Sequence, residues 1–378
     1  MSIASALGLG AGTKVRYGLV GLGDITQSAL LPGVSHTGNS EVTALVTGDP
    51  EKAAAVGDRY GIEHRYGYDQ FDRMIAAGVV DAVYIATPNW RHAEFAVPAL
   101  KAGIHVLCEK PLEVSADQAR AILDAQKAGG AKLMTAYRLH CEPATLDAVE
   151  RIRAGELGEL IGFTSCFGQM VDPANHRAQN GVEAGPLFDM GTYPINAARY
   201  LFGAEPIEVV AATGTRHPQA GLGDLDDTVA VTLRFPGDRL AQFTVSYFMN
   251  NVDSYTVAGT KGSIHMSPAY GWQSALEQYR TVGDDQSHEA FRDVDQFGGE
   301  LRYFSQCILE GRDPEPDGEE GLADLAVIEA VVKAMASGGS VPIEPVARTR
   351  RIDPASQRQT LRAVSKPEPV NASSPSRD

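Results

Sequence analysis

Short apolar runs alternate with longer amphipathic stretches over the first third of the chain. Val15–Val20, Val42–Val46, Ala82–Ala86, His105–Cys108 and Lys132–Ala136 are each a few residues long, and most carry β-branched side chains. Between them Glu51–Tyr60, Phe71–Ala77, Arg91–Lys101 and Ala116–Gln126 have the spacing of helices, with Ser115 placed to cap the last. Strands alternating with helices of this length predict βαβ units, and therefore an α/β, doubly wound parallel sheet over residues 15–136.

The texture changes at Tyr137. A helical stretch, Pro143–Ala154, leads to Gly155, and another spans Leu187–Leu201. Strand candidates follow at Ile207–Thr213, Thr228–Phe235, Leu240–Phe248, Ser254–Ala258 and Ser263–Met266, separated by turn signals such as Pro236-Gly237-Asp238 and Gly259-Thr260-Lys261-Gly262. Consecutive strands with short turns predict a largely antiparallel sheet. With helices near Leu301–Leu309 and Gly321–Ala336, residues 137–343 read as an α+β domain for substrate binding and oligomerisation. Residues 1–14, small and weakly apolar, read as a flexible arm. Residues 344–378 are rich in Pro, Ser, Arg and Gln, and are expected to be a loosely held polar tail that buries too little to offset ordering entropy.

At 378 residues the chain is too long for one ordinary core, and its 43% hydrophobic and 21% charged content is that of a globular protein. No apolar run approaches the ~18 residues of a membrane helix. A formal charge of −15 argues against nucleic acid and anionic membranes as partners. It also makes any anionic cofactor depend on backbone N–H groups and a few local cations. Cys108, Cys141, Cys166 and Cys307 are scattered without CxxC spacing, so neither a disulfide framework nor a metal site is expected. Met1–Gly12 lacks the basic start and continuous apolar core of a signal peptide, which suggests a cytoplasmic protein.

Gly21 and Gly23 stand between a strand and a helix, where glycine permits a tight turn and lets backbone N–H groups approach a pyrophosphate. The third position of that fingerprint holds Thr26. The second strand ends at Thr47-Gly48, with Asp49 and Lys52 beyond; a hydroxyl, a glycine and a cation there suit a 2′-phosphate, so NADP is favoured over NAD. Thr87-Pro88-Asn89 and Glu109-Lys110-Pro111 close two later strands on the same carboxyl edge, although either could be an ordinary strand-ending turn. Asp189 and Tyr193 lie four residues apart in a stretch weakened as a helix by Gly191 and Pro194. A lysine ammonium near a phenol favours the phenol's charged form, which tunes a tyrosine toward acid–base work. The plainer alternative is that Tyr193 is a core aromatic.

With these residues assembled, the chain resembles the Gfo/Idh/MocA oxidoreductase family, and within it the glucose–fructose oxidoreductase branch. The resemblance rests on Tyr17–Ile25, Ala86–Asn89, Glu109–Pro111, Tyr137-Arg138-Leu139-His140, Val171–Arg177 and Gly185–Gly203, and spans about Val15 to Ile343. It implies a Rossmann domain joined to a domain with an open-faced, mainly antiparallel sheet, often used to form a homodimer or homotetramer. It implies Lys110 and Tyr193 as the catalytic pair, with Asp189 near the substrate. Gly21, Gly23, Asp24, Ile25, Thr47, Gly48, Lys52, Thr87, Pro88, Asn89, His92, Glu109 and Lys110 would then border the cofactor. Arg138, His140 and Arg177 would border the sugar.

The expected activity is oxidation of an aldose at C1 to its lactone by an NADP-dependent enzyme. The cofactor could stay bound while a second sugar serves as oxidant. An ordinary sugar or dihydrodiol dehydrogenase releasing NAD(P)H, an NAD-assisted glycosidase and a non-catalytic NADP-binding regulator remain open alternatives.

Overall fold

In the computed structural model, residues 14–376 are described. The arm read over residues 1–14 therefore lies, Lys14 apart, outside the described residues. Six parallel strands make the first sheet: β1 (Val15–Val20), β2 (Ser40–Val46), β3 (His64–Tyr66), β4 (Ala82–Ile85), β5 (His105–Glu109) and β6 (Leu133–Ala136), ordered β3-β2-β1-β4-β5-β6. The order reverses between β1 and β4, which opens a crevice at their carboxyl ends.

Both faces of this sheet are covered, which is why its strands read as unbroken apolar runs rather than alternating ones. Val20, Val46, Val83, Ile85, Val106 and Leu133 enter one core with Phe71, Met74 and Phe95. Tyr17, Leu19, Leu45, Tyr84, Leu107 and Met134 enter another with Leu301, Phe304 and Ile308. The last three belong to the helix Gln296–Glu310, which returns from far along the chain. Ser305 on that helix bonds both the Tyr17 hydroxyl and the Ser40 hydroxyl at 2.8 Å.

The second sheet has nine strands. They are β7 (Leu160–Met170), β8 (Glu208–Thr215), β9 (Thr228–Phe235), β10 (Arg239–Ser246), β11 (Phe248–Gly259), β12 (Gly262–Met266), β13 (Glu277–Val282), β14 (Asp285–Ala290) and β15 (Val341–Pro342). Their order is β14-β13-β12-β11-β7-β10-β9-β8-β15, antiparallel except for the β7–β10 pair. Val229, Val231, Leu233 and Phe235 of β9 are buried beneath helices, Phe235 meeting Phe202 edge-on at 4.9 Å. The opposite face carries the cross-strand row Thr164, Gln242 and Thr232. The sheet is therefore mixed and mainly antiparallel, with one face packed and one open.

Two sequence expectations need correction. The helix read over Leu187–Leu201 is two pieces, Pro186–Asp189 and Thr192–Phe202. A Cβ on Gly191, at the break, would stand 2.4 Å from the Leu187 carbonyl oxygen, so the chain comes closer there than any side chain allows. The segment beyond Ile343, expected to be loosely held, is instead seated on the protein through residue 376. Arg348 is buried among Glu315, Asp317 and Glu320, and Gln357 is buried against Glu315. Val294 pairs with Arg362, and Val171 with Ser376, as antiparallel bridges. Ion pairs and backbone bonds order this tail, together with the burial of Ile352 in the core and the packing of Val346 and Val370 against it.

Candidate active site

The crevice begins where β1 ends. Gly21 has φ +96°, and a Cβ there would lie 2.5 Å from the Ala86 carbonyl oxygen, so glycine is required twice over. Its N–H donates to the Val46 carbonyl at 3.0 Å, which ties the turn to β2. Among the described residues, a Cβ on Gly23 would meet nothing within 4 Å, so this side of the turn is open to an approaching group. Thr26 fits the third fingerprint position because it is buried and its hydroxyl donates to the Gly21 carbonyl at 2.7 Å. The helix continues through Gln27 and Ser28, the latter donating to Asp24 at 2.7 Å.

Beside this turn, Thr47 and Gly48 end β2 against the Tyr68 ring, 3.3 Å from a Cβ built on Gly48. Asp49 caps the next helix by accepting from the Lys52 N–H at 3.0 Å, and its other oxygen accepts from Asn371 at 3.2 Å. Thr87 follows β4 with a buried hydroxyl that has no hydrogen-bond partner among the described residues. Asn89 reaches instead to the Glu183 carbonyl at 3.0 Å, joining the crevice wall to the second half of the chain. The open glycine turn, the unpaired Thr87 hydroxyl and the strand-order reversal together fit a dinucleotide.

His92 is fully buried. Its Nδ1 faces the Pro111 carbonyl at 2.9 Å and its Nε2 the Thr87 carbonyl at 3.0 Å. It braces one loop of the edge against the other, and the expectation that it borders the cofactor is corrected on that ground: the ring is fully buried and both its nitrogens face backbone carbonyls. Burial pushes its pKa down to about 4, against the pull of those carbonyls. On the neighbouring strand, Tyr84 donates to Glu109 at 2.6 Å, and burial raises the Glu109 carboxyl.

Lys110 leaves the end of β5 and meets the broken helix. Its ammonium donates to the Asp189 carbonyl at 2.8 Å and to Asp189 Oδ1 at 2.9 Å, and lies 4.9 Å from the centre of the Tyr193 ring. Asp189 Oδ2 takes the Arg177 guanidinium at 2.8 Å and the Tyr247 hydroxyl at 3.0 Å. Burial alone would push the Asp189 carboxyl up, but Arg177 and Lys110 hold it well below the ordinary carboxylate range. Burial likewise opposes the charge on Lys110, and Asp189, Tyr193 and Glu109 together more than restore it. A hydrogen-bonded, doubly paired buried carboxylate is a fixed strut rather than a proton acceptor.

The tyrosine oxygen has a different donor. Arg138 Nη2 reaches the Tyr193 hydroxyl at 3.2 Å and the Tyr270 carbonyl at 2.5 Å, while Nη1 bonds Gln296. The Tyr270 loop is itself held by Asp253, which accepts from the N–H groups of Ala269 at 3.0 Å, Tyr270 at 2.7 Å and Gly271 at 2.7 Å. Phe167 meets the Tyr193 ring edge-on at 5.5 Å. The result is a phenol between two cations, at the carboxyl edge that also carries the glycine turn.

The structure thus brings together Lys110, Asp189, Tyr193, Arg138 and Arg177. It does not bring His140 to them. That ring is buried with Nδ1 on Glu315 at 3.1 Å and Nε2 on Asn196 at 2.7 Å, inside a polar network behind the site. The expectation that His140 borders the sugar is corrected on that ground: both ring nitrogens are already engaged. Sequence reading missed Tyr247, Tyr270 and Gln296, which come from strand ends, loops and a distant helix and share no spacing that could flag them.

Comparison with known proteins agrees with this architecture. Residues 15–137 match the "Oxidoreductase family, NAD-binding Rossmann fold" and residues 145–265 match the "GFO/IDH/MocA C-terminal domain". A D-xylose 1-dehydrogenase [NADP(+)] from Haloarcula marismortui is 33% identical over 339 residues, covering 87% of this chain and 93% of the relative. An inositol 2-dehydrogenase from Rhizobium meliloti is 28% identical, covering 87% and 99%. Among solved structures, an aldose–aldose oxidoreductase from Caulobacter crescentus complexed with glycerol superposes with a TM-score of 0.82 at 35% identity, covering 87% of this chain and 100% of that one. A 3-ketoreductase from Actinomadura kijaniata with TDP-benzene and NADP gives 0.75 at 27% identity, covering 85% and 98%. The chain belongs to the Gfo/Idh/MocA oxidoreductase family.

Proposed function

We propose that this protein is an NADP-dependent sugar oxidoreductase that oxidises an aldose at C1 to its lactone. The observation that carries the reading is Tyr193, hydrogen-bonded by Arg138 and flanked by Lys110, at the sheet edge beside the Gly21–Gly23 turn. NADP-linked sugar dehydrogenases among the relatives support the same substrate class and cofactor. NADP is favoured over NAD because both oxygens of Asp49 are engaged, one by the Lys52 N–H and one by Asn371. A ribose 2′-hydroxyl would have to compete for them, whereas Thr47, Gly48 and the Lys52 ammonium suit a phosphate.

When bound, NADP supplies a hydride acceptor at its nicotinamide ring. Gly21, Gly23, Thr47, Gly48 and Thr87 would hold it. Tyr193 takes the proton of the sugar's C1 hydroxyl while the C1 hydrogen leaves as hydride, so that C1 and its oxygen form the lactone carbonyl. Arg138 donates to the tyrosine oxygen at 3.2 Å and Lys110 stands 4.9 Å from the ring centre, so the proton-exchanging group is held between two cations. Asp189 holds Lys110 and Arg177 in place by its two ion pairs. Run backwards, Tyr193 returns the proton and a carbonyl is reduced. Tyr193→Phe is expected to lower kcat by a factor on the order of 10²–10⁴ with NADP binding intact. Unchanged kcat would remove the phenol from the mechanism.

The open face of the second sheet further supports self-association. Leu240 is 39% exposed there, beside the Thr164, Gln242 and Thr232 row. Light scattering should give the mass of a dimer or tetramer; a monomer at micromolar concentration would overturn this.

A further inference from the structure

The tail crosses the mouth of the crevice and is pinned on both sides of it. It leaves the second half of the molecule where the Asp295 N–H donates to the Leu361 carbonyl at 2.9 Å. It then meets the nucleotide-binding half at successive points. Lys366 stands 3.9 Å from Asp24 and 5.7 Å from the Trp272 ring. Arg59 donates to the Glu368 carbonyl at 2.8 Å. Val370 and the buried Gln27 exchange two hydrogen bonds, at 2.8 and 3.0 Å. Asn371, in the left-handed region at φ +46°, reaches Asp49. The chain then returns to the second half, where the Asp172 N–H donates to the Pro375 carbonyl at 3.0 Å and Ser376 bridges Val171.

These anchor points coincide with the two places where a Rossmann crevice takes the phosphates of a dinucleotide, the glycine turn and the end of the second strand. Gln27 and Asp24 belong to the first, Asp49 to the second. The site also has an electrostatic deficit. Asp24 puts a carboxylate on the glycine turn of a chain whose net charge is −15, which opposes a pyrophosphate. Lys366 is the tail cation set beside that carboxylate, and its side chain remains 37% exposed and able to turn toward a phosphate.

We infer that residues 363–376 form a strap that is part of the dinucleotide site, with Lys366 as its phosphate-side cation, and that the strap slows the release of NADP. This rests on the NADP reading above.

The test compares the full chain, a chain ending at Val364, and the full-length double variant Lys366→Ala/Asn371→Gly, in which glycine keeps the left-handed backbone at position 371 while both strap side chains are removed. Each is loaded with NADP, desalted and chased with excess unlabelled NADP; bound cofactor is counted by absorbance after denaturation. The full chain is expected to hold about one NADP per chain through the chase, and the shortened chain to lose it at least about tenfold faster, chiefly through dissociation rate. The double variant should fall between them with its melting temperature unchanged, so that misfolding of the shortened chain cannot account for the result. Equal exchange rates in all three would overturn the strap while leaving the NADP reading intact. No NADP bound by any of them would overturn both.

Discussion

Gly21 and Gly23 differ in what a methyl group would meet, and that difference separates folding from binding. At Gly21 the added Cβ collides with the Ala86 carbonyl and the backbone sits at φ +96°, so Gly21→Ala is expected to cost about 2 kcal/mol or more of stability. At Gly23 the Cβ meets no atom of the described residues within 4 Å, so Gly23→Ala should fold normally yet bind NADP at least about tenfold more weakly, because the methyl occupies the side a pyrophosphate approaches. Melting temperature and equilibrium titration of the two variants check this pair. A Gly23→Ala protein that binds as well as the parent would show that the cofactor does not approach that turn. Both glycines were legible in the sequence. His140 was misread, because nothing local reveals that Asn196 and Glu315 would claim its two nitrogens.

At the scale of elements, the loops closing β4 and β5 act as one unit because His92 braces them through the Thr87 and Pro111 carbonyls. Burial depresses its pKa from 6.5 to about 4, so the unfolded chain binds a proton below pH 6.5 that the folded chain refuses. Stability should therefore be level above pH 6.5, fall as pH drops toward 4, and level again, by roughly 3 kcal/mol from this residue. Chemical denaturation across that window should show the slope, and His92→Asn should reduce it by this residue's share, the rest coming from His105, which burial also pushes down to about 4; an identical slope in the variant would contradict the assignment. Elements with one consistent pattern were the ones that could be read in advance. The strands of the first sheet are apolar on both faces, and β9 alternates cleanly. β7, though central, reads LIGFTSCFGQM, and its small polar residues on the open face hide the period. The helix break at Gly191 showed only as weakened propensity, since the approach of the Leu187 carbonyl is a tertiary fact.

Across the whole molecule, the site is made by three parts of the chain that are remote in sequence. The first sheet supplies the glycine turn and Lys110. The broken helix supplies Asp189 and Tyr193. The loop after β12 and the helix Gln296–Glu310 hold Arg138, through Tyr270 and Gln296. The tail was misjudged because composition measures apolar burial, whereas Arg348, Gln357 and Val370 are fixed by ion pairs and reciprocal hydrogen bonds. Two cations over one phenol, beside a nucleotide turn, is the arrangement from which the proposed chemistry follows. The most direct test of that chemistry uses an aldose carrying deuterium at C1, mixed with the NADP-loaded protein, with the cofactor and sugar then read by mass spectrometry. The account predicts reduced cofactor bearing one deuterium and a sugar product two hydrogens poorer, as a lactone. Reduced cofactor without the label, or an unchanged sugar, would contradict oxidation at C1.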